Sequence, residues 1–99
     1  MTIVITGAAT DDIAEGYLFY EKQSQGLGEY FEASIFADIR SLVICAGSHE
    51  VHFEIYYRKI VSRFPYAIYY TIDADTVRVF AIADTRRDPL RIKRRFSGS

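Results

Sequence analysis

The sequence predicts an α+β domain in which an antiparallel sheet carries a helical hairpin on one face. Across residues 63–72, large apolar or aromatic side chains occupy every second position, which is typical of a β-strand with one buried face. A second strand-like run at 76–83 follows a short turn, so the two runs indicate a β-hairpin. Two apolar stripes at helical spacing occupy residues 10–22 and 27–44, separated by a Gly-Leu-Gly turn. The predicted element order is therefore β-α-α-β-β-β, and the 99 residues form a single domain, 1–99.

β-Branched residues predict the first strand, and a side chain able to cap a helix predicts the start of the first helix. Residues 3–5 favour a strand, and a glycine ends the run. Thr10 or Asp11 can cap a helix that continues to Lys22, because a short side chain with an oxygen accepts the free N–H groups of a first turn. Asp12 would then lie at the positively polarised start of this helix.

The two helices are predicted to lie antiparallel, because the glycine turn between them is short. In the first helix, Gly16 lies beside the apolar stripe, where another element can approach closely. The second helix has its apolar residues on one face: Leu27, Phe31, Ile35, Ile39 and Leu42. These two faces are expected to pack against each other and onto the sheet.

Three further strands complete the predicted sheet. Gly47 is expected to end the second helix in a left-handed conformation. The alternation from 51 to 57, continuing to Val61, predicts a strand that pairs with the one after it. Pro65 has no N–H to donate, so it suits the first residue of that next strand.

The strand at 63–72 is expected to be the centre of the core. Its buried face consists of alternate residues: Phe64, Tyr66, Ile68, Tyr70 and Ile72. An aromatic ring buries roughly 150–250 Å² of surface, so a strand this rich in rings stabilises the fold strongly. On the same alternation, Ala67 and Tyr69 belong to the opposite, less buried face.

Charge is distributed unevenly along the chain. Residues 1–83 contain six Lys/Arg and eleven Asp/Glu, whereas residues 84–99 contain six Lys/Arg and two Asp/Glu. A basic tail on an acidic body favours contact with nucleic acid or with an acidic protein partner, or it only keeps the chain soluble. Residues 86–99 show no clear periodicity, and the Asp88-Pro89 pair predicts a turn.

The composition excludes several kinds of site. A single cysteine, Cys45, excludes an intramolecular disulfide and a cysteine zinc cluster, and it fits a reducing cytoplasm. His49 and His52 lack the further ligands that a metal requires. No apolar run reaches the roughly 18–20 residues that span a bilayer. We therefore expect a cytoplasmic protein with no metal and no cofactor.

The hairpin and its exit resemble the signature of a known family. The segments SRFPYAIYYTID (62–73) and VRVFAIADTRRDP (77–89) are similar to the central strand, return strand and exit of the RelE/ParE superfamily, the toxins of type II toxin–antitoxin systems. A helical segment at 12–31 adds to the match, which extends over residues 8–90. The resemblance implies the same α+β fold and a cognate antitoxin as partner.

The resemblance is closer to the ParE branch, which implies a plasmid-stabilisation toxin that inhibits growth by binding DNA gyrase. The RelE branch instead cleaves messenger RNA on the ribosome and needs a base, a cation over the phosphate and an acid. The arginine that often follows the first tyrosine of the central strand is Ala67 here, and the histidine that often precedes the exit is Asp84. These departures and the acidic body disfavour contact with RNA and cleavage of it.

Three functions therefore remain open. The first is a non-enzymatic gyrase inhibitor, and the alternative is a ribosome-dependent messenger RNA endoribonuclease with a rearranged site. The third is a domain of this fold that has lost toxicity and only binds its antitoxin. A nuclease would have to take its acid from Tyr66, His52 or Asp84. A homo-oligomer is indicated only weakly.

No catalytic set is assigned, and the candidate residues for binding the antitoxin or the target are basic or aromatic. They are Arg58, Arg63, Tyr66, Arg86, Arg87, Arg91 and Arg94. Arginine makes bidentate contacts with carboxylates, so these side chains can act by charge and reach. For Arg63 the alternative is a structural role at the strand entry, as the partner of a carboxylate.

Overall fold

The computed structural model describes residues 1–87 and 89–97, which form five strands and three helices. In chain order these are β1 (Thr2–Ile5), α1 (Gly7–Gln23), α2 (Leu27–Cys45), β2 (Glu50–His52), β3 (Tyr56–Ile60), β4 (Tyr66–Asp73), β5 (Thr76–Asp84) and α3 (Pro89–Ser97). The α+β class, the αα-hairpin and the β4–β5 hairpin are confirmed. The terminal helix α3 and the division of one predicted strand into β2 and β3 are differences from the expectation.

The five strands form one sheet in the order β1-β5-β4-β3-β2. The pairs β2–β3, β3–β4 and β4–β5 are antiparallel, whereas β1 lies parallel to β5, with Ile5 opposite Val79. The αα-hairpin connects β1 to β2, which lie at opposite edges, so β1 borders a strand that follows it by about seventy residues. Local periodicity carries no information about such a pairing, and the element order alone left it unspecified.

Helix α1 begins earlier than the sequence indicated. Its cap is Thr6, whose hydroxyl accepts the Ala9 N–H at 3.2 Å, so the expected cap at Thr10 or Asp11 is wrong. Asp12 therefore lies beyond the first turn and does not interact with the start of the helix. Its side chain takes part in a different contact, described below.

The two helices pack as closely as Gly16 suggested. A Cβ atom at Gly16 would lie 2.5 Å from the Phe31 ring, so only a glycine admits that ring. The predicted face of α2 is buried at Phe31, Ile35, Ile39 and Leu42. At the turn between the helices, the Glu21 carboxylate accepts the N–H groups of Gly26 and Gly28, which places a negative charge at the positive end of α2.

Strand β4 is buried on both faces, which corrects the expectation for Ala67 and Tyr69. Tyr66, Ile68 and Tyr70 pack against the αα-hairpin, as predicted. Ala67 and Tyr69 are only 0% and 4% exposed, because a second, smaller core lies on the other face of the sheet. A continuous buried run of this kind is typical of a strand between two layers.

Helix α3 is the element that covers this second face. The Phe96 ring stacks on Tyr56 with centroids 4.0 Å apart, and Ile92 packs beside it, four residues earlier on the same side of the helix. Pro89 occupies the first helical position, where its missing N–H costs nothing. Pro89–Ser97 thus form a helix although residues 86–99 show no clear periodicity in the sequence. Of the turn predicted at Asp88-Pro89, Asp88 lies outside the described residues and Pro89 begins the helix.

The single strand expected from 51 to 61 is interrupted by a tight turn. Phe53 and Glu54 have φ values of 53° and 72°, a left-handed conformation that costs a non-glycine residue free energy. The Phe53 ring contacts Tyr69 at 6.0 Å and Phe96 at 5.7 Å between centroids. We infer that this burial offsets the backbone cost and creates β2 and β3 as separate strands.

The loop after α2 is tied to the central strand through Tyr70. Gly47, with φ of 90° as predicted, donates its N–H to the Tyr70 hydroxyl at 3.0 Å. That hydroxyl also hydrogen-bonds with Nδ1 of His49. Because the hydroxyl already accepts one bond, the arrangement favours a neutral imidazole whose Nδ1 accepts the hydroxyl proton.

We expect stability to fall as the pH is lowered through the titration of His49. Burial, and then the nearby Lys59 charge, hold the pKa of His49 below its usual 6.5 in the folded chain. The neutral imidazole therefore stabilises the fold fully above pH 6.5, and this contribution is lost as the pH falls through the lowered pKa. Urea unfolding between pH 7 and pH 5 would measure it. The dependence of the free energy of unfolding on pH should weaken in His49→Asn, which keeps a hydrogen-bond acceptor. It should persist in the control variant His52→Asn.

Candidate functional site

A concavity lined by described residues lies where α1, the end of β5 and α3 meet, and we call it the α1–α3 cleft. It encloses about 810 Å³, within the range of ligand-sized pockets. Four of the predicted site residues line it: Arg58, Tyr66, Arg87 and Arg91. Arg63, Arg86 and Arg94 do not line it. The fold thus brings together part of the predicted set.

The cleft contains an edge of the sheet that no strand of the described residues covers. Strand β1 pairs with β5 only as far as Val79, and a register irregularity in the β4–β5 ladder follows. At the irregularity Arg95 donates to the Phe80 carbonyl at 2.8 Å, and just beyond it the Asp12 carboxylate accepts the Ile82 N–H at 2.9 Å. Two side chains therefore take the place of a neighbouring strand.

Asp12 and Arg95 also bind each other, with the guanidinium 2.8 Å from the carboxylate. This ion pair fastens α3 to α1 and to β5 at once. Burial raises the pKa of the Asp12 carboxyl, although the Ile82 N–H and the Arg95 charge act in the opposite direction. Neither residue was among the predicted candidates, and no local pattern signals a contact between residues 83 positions apart.

An ion pair between two neighbouring residues, Asp84 and Arg86, stabilises the chain where it leaves β5. Arg86 makes a bidentate contact with Asp84, with distances of 3.0 and 2.9 Å. This guanidinium is the main reason why the pKa of the Asp84 carboxyl lies below its usual value. The side chain that stands in place of an expected histidine is thus a carboxylate that cannot donate a proton near neutral pH. Arg87 lies 3.8 Å from the exposed Glu15.

Tyr66 belongs to the core more than to a surface site. Its ring packs on Phe31 with centroids 4.9 Å apart, and it is 6% exposed. Burial raises the pKa of Tyr66 to about 12. Such a hydroxyl holds its proton tightly, and the buried ring offers little access to a macromolecule.

Arg58 and Arg63 each bind a tyrosine. Arg58 donates from Nε to the Tyr69 hydroxyl at 3.0 Å, on the sheet face that α3 partly covers. Arg63 donates to the Tyr30 hydroxyl at 2.9 Å, so the carboxylate partner expected for it is replaced by a phenol. The nearby carboxylate, Asp38, instead accepts the Ser62 N–H.

Arg91 and Arg94 are exposed on α3 and form no ion pair with a carboxylate among residues 1–87 and 89–97. Arg86, Arg87 and Arg95 each lie beside a carboxylate of the chain itself. The basic tail thus separates into residues that fasten it internally and residues whose charge is available to a partner. Ile92 and Phe96 lie four residues apart in the sequence, a helical spacing that could have indicated the packed side of α3.

Within the described part of the chain, no group of three metal-binding side chains comes together. None of the described helices is long and apolar enough to cross a bilayer. His52 lies 3.0 Å from Glu50 and lines the cleft beside Arg58.

Comparison with known proteins identifies the fold. No protein-family model matches the sequence, and no curated protein matches it. Seven chains of solved structures match, among them a chain of the chromosomal ParDE toxin–antitoxin system from P. aeruginosa. That likeness has a TM-score of 0.78 at 14% sequence identity, and it covers 85% of this chain and 95% of the other. The chain therefore has the fold of a ParE/RelE-like toxin, as the sequence predicted.

Proposed function

We propose that this chain is the toxin of a type II toxin–antitoxin pair, that a cognate antitoxin neutralises it, and that it arrests growth by binding DNA gyrase. The observation that carries the proposal is the structural likeness to a chain of a ParDE system. It has a TM-score of 0.78 and extends over 95% of that other chain. The sequence resemblance at residues 62–73 and 77–89 supports the same assignment independently.

The chemistry of the site favours a binder over a nuclease. Cleavage through the RNA 2′-hydroxyl needs an acid for the leaving oxygen. Asp84 is held as a carboxylate by Arg86, and Tyr66 is buried with a pKa of about 12. His52, beside Arg58, is then the remaining acid for the alternative of a messenger RNA endoribonuclease. The carboxylates that line the cleft, Asp12, Glu15 and Asp84, each lie beside an arginine rather than beside His52, so we favour inhibition by contact.

The antitoxin part of the proposal is tested by co-expression with the product of the open reading frame next to the gene. Induction of the chain alone should arrest growth, and co-induction should restore it. The two proteins should co-purify, and saturating partner should raise the melting temperature, because a ligand of the folded state stabilises it by about 2.7 kcal/mol at a hundred times its Kd. Absence of both co-purification and a thermal shift contradicts the proposal.

A further inference from the structure

We propose that the free edge of β1 is a self-association surface, along which β1 of a second copy of this chain adds as an antiparallel neighbour. The two five-stranded sheets would then join into one continuous sheet. This surface lies beyond the proposed function, because it involves neither the antitoxin nor the growth target.

Strand β1 is the terminal strand on one side of the sheet, and half of its backbone groups face away from β5. The N–H groups of Thr2 and Thr6 donate to carbonyls of the β4–β5 hairpin, at 2.8 and 3.0 Å. Because the residues of a strand bond alternately to one side and the other, the N–H and C=O groups of Ile3 and Ile5 face outward. No strand of the described residues lies on that side, so these four groups have no partner within the sheet.

The composition of this edge does not protect it against pairing. Residues 1–10 contain no charged side chain and no proline, and all four residues of β1 are β-branched. Natural sheets usually protect an exposed edge with charges, prolines, bulges or very short strands. The opposite edge strand, β2, has such features: it is three residues long, Glu50 lies 3.0 Å from His52, and a left-handed turn follows it. Of these two edges, β1 is therefore the one suited to add a strand.

The spacing of the outward groups makes β1 complementary to itself. When Val4 lies opposite Val4 of the second copy, Ile3 lies opposite Ile5 of that copy, and Ile5 lies opposite Ile3. Each Ile3–Ile5 pair exchanges two N–H···O bonds, so all four outward groups of each copy are satisfied. The two-fold axis passes between the two Val4 residues, and β-branched side chains face each other across the seam. The geometry thus fits a second copy of this chain.

The length and the neutrality of the seam determine how the dimer should behave. Four residues form a small interface, which belongs to the weak and transient class. In sedimentation equilibrium, the purified chain should change from monomer to dimer between about 5 and 500 μM. The dimer Kd should not rise with salt, because the edge contains no charged side chain. A chain that stays monomeric over this range would overturn the proposal.

Charges placed on the two-fold axis test the surface itself. Val4→Glu should raise the dimer Kd about tenfold or more, because like charges directly opposite each other repel across a strand pair. Val4→Lys should do the same, whereas an equimolar mixture of the two variants should dimerise again, since opposite charges then meet at the axis. This rescue also shows that both variants are folded. Ile44→Glu, at a position 93% exposed on α2, should leave the dimer Kd unchanged.

A disulfide across the axis tests the register. The single cysteine of the chain is first removed by Cys45→Ser. Opposite residues that exchange no hydrogen bonds have Cα atoms about 4.5 Å apart, a distance that a disulfide spans. Val4→Cys in this background should therefore give a covalent dimer on mild oxidation. Thr2→Cys should not, because Thr2 lies opposite Thr6 of the second copy.

Either of two results would overturn the inference. The first is a dimer whose Kd is the same in the unaltered chain, Val4→Glu and Val4→Lys, which would place the contact elsewhere. The second is oxidative cross-linking at Thr2→Cys but not at Val4→Cys, which would exclude the antiparallel seam centred on Val4. The proposed function stands in both cases, because growth arrest and antitoxin binding are measured separately.

Discussion

Tyr70→Ala should lower the free energy of unfolding by about 3–5 kcal/mol, the usual cost of removing a large buried ring. Tyr70 is 0% exposed in the strand at the centre of the sheet. Its ring stacks on Tyr57 with centroids 5.2 Å apart, and its hydroxyl holds the loop at Gly47 and His49. The substitution therefore removes both apolar burial and the anchor of a loop.

Equilibrium unfolding in urea measures this effect. Tyr70→Phe should lose only about 1 kcal/mol, because it keeps the ring and removes the hydroxyl bonds. Tyr30→Ala is the matched control, since Tyr30 is 45% exposed, and it should cost less than about 1 kcal/mol. A loss of that small size for Tyr70→Ala would show that its ring does not support the core.

Induction of the chain in a sensitive host should produce double-strand DNA breaks and a DNA-damage response, while messenger RNA stays intact. This is the expected result if the chain poisons gyrase by contact. Arg91→Ala combined with Arg94→Ala should abolish growth arrest with the fold preserved, because both side chains are exposed and form no ion pair among the described residues. Arg40→Ala, which removes an exposed cation from α2, should leave the arrest unchanged.

Primer extension on messenger RNA and a DNA-damage reporter are the two measurements. Cuts in phase with codons at the ribosomal A site, without DNA breaks, would establish the nuclease alternative instead. Arg86→Ala with Arg87→Ala should also abolish toxicity. This pair needs a check of folding, because Arg86 holds Asp84 and its loss leaves that carboxylate without its main partner.

The αα-hairpin and the β4–β5 hairpin could be predicted from the sequence. Both depend on residues close together in the chain, where a period of 3.6 or 2 reports directly which side chains share a face. The burial of Phe31, Ile35 and Ile39 followed from such a stripe. The close approach at Gly16 follows from the same kind of pattern, because this small residue lies beside the apolar stripe of the first helix.

Only the tertiary structure decided what lies on the second face of the sheet. The alternation placed Tyr69 on the less buried side, and helix α3 reverses this by bringing Phe96 within 5.5 Å of its ring. The Asp12–Arg95 pair, 83 positions apart, takes the place of a strand beside β5. Contacts between residues so distant leave no periodic trace, because a period of 2 or 3.6 reports only which neighbouring residues share a face.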